Sequence, residues 1–558
     1  MNKTRIFSLL AIIGLLSCSG SRHEKPSDVK TQQRLIFNCD GTVLLGNYMF
    51  GGLDGRPLSL ADVHAYVDAY AQTPITTFMM CSGAHNLYYR SAFTRVIGET
   101  PKEMSEGTYQ DPENVGGYYR NFLNVEREGA DVITAVLQRA QEHHLETFIS
   151  YRMNDLHFNE LSQTPLSQCE FWQNHPEYWI HEDFGWHSDG AFDFAHAEVR
   201  QFKTDIIAEQ LDKYGHLLDG FDLDFLRFPA YFKTAEAAKN APLMTELVRT
   251  VKQKIDETSK RTGRHILLSA RVPFDMDFCL SEGLDVKEWI KLGLIDFLTV
   301  GNFFTENPDF SMSVAKSIQD IGSGEHRLPI YVSMESGSYS PRQQFSHGMY
   351  RGIASHIYAQ GGEGIYLFNY FFDNPSVSLS CNTVCREISS ELLSELGSTE
   401  TLRKRNKIYA LDDGSAASYY RFRGKSPLPL TLSSTDRQTV DIHIDDDTQQ
   451  DVPEQIILFI RTNQQVETDV QVNGIDATPL GTDYISLYEA DADLKKGEQV
   501  HVFSVPVSAV KQGRNTIGIR AQSAEKTPLT SHLSTLNSKV VRLEMAIRYG
   551  DVSMYGYF

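Results

Sequence analysis

The chain is short of the features that mark several large protein classes. Only seven of its 558 residues are cysteine and four are tryptophan, and no Cys-x-x-Cys motif occurs, so nothing in the cysteine spacing demands zinc. Basic residues are also scarce: 52 Lys and Arg stand against 72 Asp and Glu, a net charge of −20. That balance argues against a sequence-independent nucleic-acid binder, which lives on phosphate neutralisation. The one apolar run, Ile6 to Leu16, is too short to span a bilayer comfortably, which excludes a multi-span membrane protein. Four catalytic signatures are missing: a Gly-x-Gly-x-x-Gly turn after a first strand, a phosphate loop, a Gly-x-Ser-x-Gly elbow and a His-Glu-x-x-His helix. What remains is globular in composition, with 41% hydrophobic, 11% aromatic and 22% charged residues. Its length allows a large catalytic domain with an accessory one.

Residues 1–18 read as an export signal. Met1-Asn2-Lys3-Thr4-Arg5 is a basic start to the apolar run, and Leu15-Leu16-Ser17-Cys18 looks like a bacterial lipobox in which Cys18 becomes the lipidated first residue. The expected location is the bacterial cell envelope, with the lipid on Cys18 holding the protein to a membrane. Residues 19–33 are polar and form a tether. Cys39, Cys81, Cys169, Cys279, Cys381 and Cys385 remain, an even number in a disulfide-permissive compartment, with no pairing that spacing assigns. Cys39 and Cys81 lie in expected adjacent strands and equally fit small buried hydrophobes.

Residues 34–398 alternate short apolar strands with amphipathic helices. Eight strands are expected at 34–40, 75–81, 146–152, 220–227, 266–272, 296–302, 329–335 and 364–370. Helices are expected at 59–68, 130–144, 198–214, 243–262, 285–292 and 348–360, the first opened by a capping-box-like Ser59 and Asp62. Eight such units imply an α/β fold, a (β/α)8 TIM barrel whose chemistry sits at the carboxyl ends of its strands. From 399 to 558 the pattern turns to strands alone, at 418–422, 428–433, 440–444, 455–461, 500–507, 515–520 and 539–547, which predicts a β-sandwich. The segment 503–519 resembles jelly-roll domains appended to sugar-active enzymes; a purely structural module is an equal reading, since no aromatic cluster marks a binding face.

The strand ends direct attention to a few residues. Period-two alternation places Asp222 and Asp224 on the inward face of the fourth strand, with Arg227 just beyond. Asp224 is the better catalytic candidate, because Asp222 lies deeper, where Asp–Arg networks also hold barrel interiors together. Strand one ends at Asp40, and strand three at Arg152, Asn154, Asp155 and His157. His157 with Asp40 or Asp155 makes an acid/base pair able to move a proton near neutral pH. Arg152, Arg227 and Arg271 close three successive strands and suit a sugar carboxylate, unless each merely neutralises an inward aspartate. Asn302, Asn369 and Tyr370 complete the rim, with Glu335 as a reserve acid/base. Two long loops, 82–129 and 155–195, read as lids. The first offers His85, Asn86, Tyr88, Tyr89 and Arg90 as contacts; the second holds Trp172, Trp179 and Trp186, suited to sugar stacking or to the lid's own packing. No cofactor is expected and no ligand spacing demands a metal, although a carboxylate-rich mouth is compatible with calcium.

The stretch Phe192-Asp-Phe-Ala-His-Ala-Glu-Val-Arg-Gln-Phe202 and the strand Leu218-Asp-Gly-Phe-Asp-Leu-Asp-Phe-Leu-Arg-Phe-Pro229 resemble the glycosyl-hydrolase-like barrels of bacterial exported lipoproteins. About forty residues carry that likeness. A narrower resemblance is to glycoside hydrolase family 156, inverting exo-sialidases on the same barrel. It implies that Asp40 and His157 are catalytic, that Arg152 and Arg227 bind the substrate carboxylate, and that Asn369 touches substrate. The expected activity is therefore an exported glycoside hydrolase, exo-acting on an anionic sugar such as sialic or uronic acid. Two alternatives stand: a two-carboxylate hydrolase using Asp224 with Asp40 or Glu335, and a catalytically silent glycan-binding lipoprotein. Carbohydrate is the partner in each.

Overall fold

Eight parallel strands close on themselves: β1 (Arg34–Cys39), β2 (Thr77–Cys81), β3 (Glu146–Arg152), β4 (Gly220–Asp224), β5 (Leu267–Pro273), β6 (Phe297–Gly301), β7 (Ile330–Glu335) and β8 (Gly364–Phe368), with β8 pairing β1. The computed structural model describes residues 33–46, 56–100, 115–157, 159, 166–185, 187–301, 314–321, 328–335, 347–368, 370, 390–412, 426–481, 494, 496–522 and 537–550. The pleat sorts the strand side chains into two cores. Leu35, Phe37, Ile149, Tyr151, Phe221, Leu223, Leu268 and Ala270 pack outward under the helices. Ile36, Met79, Phe148, Phe297, Tyr331, Tyr366 and Phe368 fill the barrel as a separate cluster. Side chains of period two facing a filled interior are what a (β/α)8 barrel requires.

The amino-terminal end of the barrel is plugged by charge. Arg34 donates to Glu146 at 2.7 and 2.9 Å and to the Tyr331 hydroxyl at 2.8 Å, with its guanidinium over the Phe297 ring. The carboxyl end is left for chemistry.

The helices follow the apolar periodicity. Leu60–Ala71 starts at a capping box formed by Ser59 and Asp62, and Asp131 caps Val132–Glu142. Ala197–Tyr214, Val286–Lys291 and His347–Ala359 fall within two residues of expectation, whereas Ala237–Thr262 begins six residues early, passing through Pro242. The two long loops are partly ordered. A helix, Val115–Arg127, occupies the end of the first; Val115, Tyr118, Phe122 and Val125 bury one face despite the paired glycines in its first turn. The second contains the helix Glu170–Asn174 and two short 3₁₀ turns.

The C-terminal region opens at the strand Lys407–Asp412 and forms two antiparallel sheets. One orders Leu430–Thr431, Lys539–Arg548, Gln455–Thr462, Gln499–Val505 and Thr478–Pro479, with Lys407–Asp412 also paired to Lys539–Arg548. The other orders Gln438–Ile444, Gly513–Ala521, Thr468–Val472 and Ile475–Asp476. Strands 407–412 and 468–472 escaped the sequence reading, and the expected strand 418–422 lies outside the described residues. This region packs on the barrel helix His347–Ala359, whose Arg351 reaches the Asn406 carbonyl at 3.2 Å.

Cys39, Cys81, Cys169 and Cys279 are buried free thiols. Burial pushes Cys39 and Cys81 up to about 12 and Cys169 to about 11, so they remain protonated hydrophobes. Cys18, Cys381 and Cys385 lie outside the described residues. Among the described residues, no helix is long and apolar enough to cross a membrane.

Candidate active site

Strand register assembles the mouth in two rows. In the lower row Asp222 pairs across β4 with Ser150 on β3 and Ser269 on β5. Both serine hydroxyls donate to it, at 2.8 and 2.7 Å. Burial first, then the neighbouring charge of Asp224, push the Asp222 carboxyl up to about 6 against the pull of the serines and Arg271. In the upper row Asp224 stands in register between Arg152 and Arg271. Its Oδ2 accepts from Arg271 Nη1 at 3.2 Å, and its Oδ1 from the Leu226 and Arg227 amides at 3.1 and 3.2 Å. With 1% exposure on each side of the ion pair, Asp224 anchors Arg271 and the turn after β4.

Above these rows runs a chain of alternating charge. Arg152 Nη2 lies 2.7 Å from Asp40 Oδ1, a close ion pair but out of line for a hydrogen bond. The other end of the same guanidinium donates from Nη1 to Asp155 Oδ2 at 3.1 Å. Asp155 Oδ1 then takes both the His157 amide, at 2.9 Å, and His157 Nδ1, at 2.5 Å. The far ring nitrogen, Nε2, lies 3.4 Å from Arg227 Nη2. The Nδ1 contact fixes the ring, so Nε2 is the nitrogen presented to the mouth. Burial would raise Asp155, but His157, then Arg152 and Arg227, hold it well below the usual carboxylate range. His157 is the most open of these groups, with 30% of its side chain exposed against 10% for Asp40 and 9% for Asp155. Asp40 and His157 therefore belong to one end of the barrel, joined through Arg152 and Asp155.

Local structure fixes both ends of that chain. Gly41, at φ +80°, turns the backbone just after Asp40, and a Cβ there would sit 2.3 Å from the Tyr88 ring; glycine is required on both counts. Tyr88 is thereby packed beside Asp40. On the other side, His85 Nε2 lies against the Asp155 backbone, 3.1 Å from its carbonyl and 3.2 Å from its amide. Burial drives His85 down to about 3, keeping its ring neutral.

The remaining expected residues separate. Arg152, Arg227 and Arg271 do converge, each with its guanidinium over the Phe368 ring at 5.9, 5.3 and 4.4 Å. Arg152 and Arg271 sit on protein carboxylates, while Arg227 sits beside His157. Phe368, the shared aromatic floor, went unnoticed in the sequence, although its inward parity with Tyr366 was there to read. Two expectations are corrected. Asn154 is fully buried and donates to the Phe192 and Ala230 carbonyls at 3.1 and 2.6 Å, tying loops together instead of lining the rim. Tyr370 is fully buried outside the barrel, edge-on to Tyr350, with its carbonyl accepting from Tyr70, because the strand ends at Phe368. Asn302, Asn369 and Trp186 lie outside the described residues. Glu335 ends β7 in register with Phe368; its side chain is likewise outside them.

The lid aromatics serve packing. Trp172 and Trp179 stack at 4.3 Å, and Trp172 Nε1 donates to the Gly190 carbonyl at 2.6 Å. In the first loop, Tyr89 donates to Glu209 and Arg90 pairs with Glu126.

No protein-family model matches the chain, and no curated protein matches it. Among solved structures it is similar to an alpha-L-fucosidase of family GH29 from Bacteroides thetaiotaomicron, at 10% identity over 84% of this chain and 82% of that one, TM-score 0.33. It is also similar to the alpha-L-fucosidase AlfC from Lactobacillus casei, at 12% identity over 60% and 78%, TM-score 0.29. A GH138 enzyme targeting the pectin rhamnogalacturonan II is similar at 10% identity over 60% of this chain and 34% of that one, TM-score 0.33. Likeness at these scores decides nothing about chemistry, which rests on the residues at the mouth.

Proposed function

We propose that this chain is a glycoside hydrolase, exo-acting on an anionic sugar of the sialic or uronic acid type, in which Asp40 and His157 perform the chemistry. The observation that carries this reading is the Asp40–Arg152–Asp155–His157 chain at the carboxyl end of the barrel. Asp40 carries the negative charge of an ion pair and serves as the base that takes a proton from the attacking water. His157, braced at Nδ1 by the ionised Asp155, serves as the acid, delivering a proton from Nε2 to the leaving glycosidic oxygen. Asp155 orients the ring and offsets the charge of the imidazolium. Arg227, beside that nitrogen, is the cation placed to meet a sugar carboxylate. The resemblance to family 156 supports the same pair. The two-carboxylate alternative would call on Asp224, whose oxygens accept from Arg271 and from the Leu226 and Arg227 amides.

Product release by the mature domain from sialosides, uronides and neutral glycosides, read by mass spectrometry, tests the proposal. Release of sialic or uronic acid that H157A and D40N abolish is the expected result. Release confined to neutral sugars refutes the anionic specificity, and binding without any turnover favours the silent glycan-binding reading. We further propose export and lipidation at Cys18; metabolic labelling with palmitate that fails in C18A and persists in wild type is the expected outcome.

A further inference from the structure

We propose that His356, His443 and Asp445 form a binding site for one divalent transition-metal ion of the zinc class, placed where the barrel's helix layer meets the C-terminal sheets and independent of the catalytic reading above. His356 belongs to the helix His347–Ala359, which precedes β8; His443 lies near the end of the strand Gln438–Ile444, and Asp445 follows it. The fold thus brings together two imidazoles and a carboxylate separated by almost ninety positions. One donor atom from each residue lies within 4.8 Å of the other two. His356 Nδ1 is 2.8 Å from Asp445 Oδ2, and His443 Nε2 is 3.2 Å from Asp445 Oδ1. An ion held at about 2.0–2.2 Å by nitrogen and oxygen sets its donors about 3.4 Å apart in a tetrahedron, so small side-chain rotations suffice to seat it.

A second observation points the same way. The Asp445 side chain is only 3% exposed, and its two oxygens lie 2.8 and 3.2 Å from the ring nitrogens of His356 and His443. A desolvated carboxylate facing two imidazole nitrogens is a ready anionic ligand, and a cation among the three would find its donors already in place. The surrounding backbone is held independently: Gln512 donates to the Asp445 carbonyl at 2.9 Å, and Asp446 is engaged by Lys407 and Tyr409. The carboxylate is therefore positioned before any ion arrives. Two imidazoles with one carboxylate suit zinc, cobalt or nickel better than calcium or magnesium, which prefer all-oxygen sets. His356 is buried whereas 45% of the His443 side chain is exposed. That asymmetry leaves a path for the ion and a fourth position for water. Once bound, the ion would link the barrel to the C-terminal region through coordinate bonds.

The test is titration of the full mature chain with Zn2+ by calorimetry, with Co2+ absorption as a report of coordination. Wild type is expected to take up one equivalent, to show Co2+ d–d bands of a four- or five-coordinate site, and to melt several degrees higher with zinc than without. H443A, a change at a half-exposed position, is expected to keep the apo melting temperature and lose at least tenfold in affinity; D445N is expected to do the same to affinity. The double variant D40N/H157A is expected to bind as wild type does. No uptake by wild type, uptake unchanged in H443A and D445N, or uptake lost in D40N/H157A would each overturn the proposal.

Discussion

Replacing Asp222 with asparagine is expected to stabilise the protein at neutral pH and to do nothing of the kind in acid. The Asp222 carboxyl is fully buried between two serine hydroxyls, and its ionisation is moved from the ordinary 3.8 up to about 6. The folded chain therefore keeps this proton about two pH units longer than the unfolded chain does. At about 1.4 kcal/mol per pH unit, that is about 3 kcal/mol. Because the folded state is the tighter proton binder, the stabilisation is fully present below about pH 4. It is lost as the pH climbs from about 4 to about 6, and stays lost above. Asparagine has no proton to lose. Its oxygen accepts from one serine and its amide donates to the other, since a hydroxyl serves in either sense. The stability of D222N relative to wild type should then be constant below about pH 4, grow by about 1.4 kcal/mol per pH unit to about pH 6, and level off about 3 kcal/mol higher. Urea unfolding at half-unit pH steps, with slopes compared to check that the transition is unchanged, measures the difference directly. A difference that stays flat from about pH 4 to 7 would refute the link between burial, register and protonation drawn here.

Three further outcomes follow from the same geometry. R271A removes the guanidinium from a pair in which both side chains are 1% exposed, and should cost about 3–5 kcal/mol by urea unfolding; the double variant R271M/D224N should recover a large part, and equal losses in both would sink the ion-pair account. D155N leaves His157 Nδ1 without its anionic brace, so product release should fall about 10²- to 10⁴-fold in kcat with KM little changed; unaltered kcat would remove Asp155 from the mechanism. G41A forces a side chain into a positive-φ turn and onto the Tyr88 ring, and should lower the melting temperature and displace Asp40, read as lost turnover; a fully active G41A would show that the turn is not what holds Asp40.

Much of this arrangement was legible because a barrel strand announces its inward face. In Gly220-Phe-Asp-Leu-Asp the polar and apolar residues alternate without exception, so both aspartates could be placed inside before any contact was known. The capping box at Ser59 was equally plain, being a local device. Partnership was not legible. Three arginines at strand ends are compatible with a substrate carboxylate or with protein carboxylates, and only the folded arrangement shows Arg271 on Asp224 and Arg152 on Asp40 and Asp155. The choice of Asp155 over Asp40 as the brace for His157 depends on the backbone curling so that the side chains of residues two apart meet. Parity alone sets Tyr370 on the rim, but β8 stops at Phe368 and the chain turns away before it. The helix Val115–Arg127 was missed because Gly116 and Gly117 weaken its first turn, although its apolar spacing was helical.

The two rows at the mouth also bear on how β4 finds its register. A strand that slips in a parallel sheet must move by two residues to keep its inward side chains inward. If β4 slipped downward by that step, Asp224 would drop between Ser150 and Ser269, and Leu226 would replace it between Arg152 and Arg271, stranding the buried Arg271 without an anion. If β4 slipped upward, Asp222 would rise between the arginines and Gly220 would face the two serines, leaving their hydroxyls with nothing to donate to. Either misalignment exposes a desolvated polar group to an apolar neighbour, a cost of several kcal/mol. The register of β4 against both of its neighbours is thus enforced by the chemistry of six side chains on three strands.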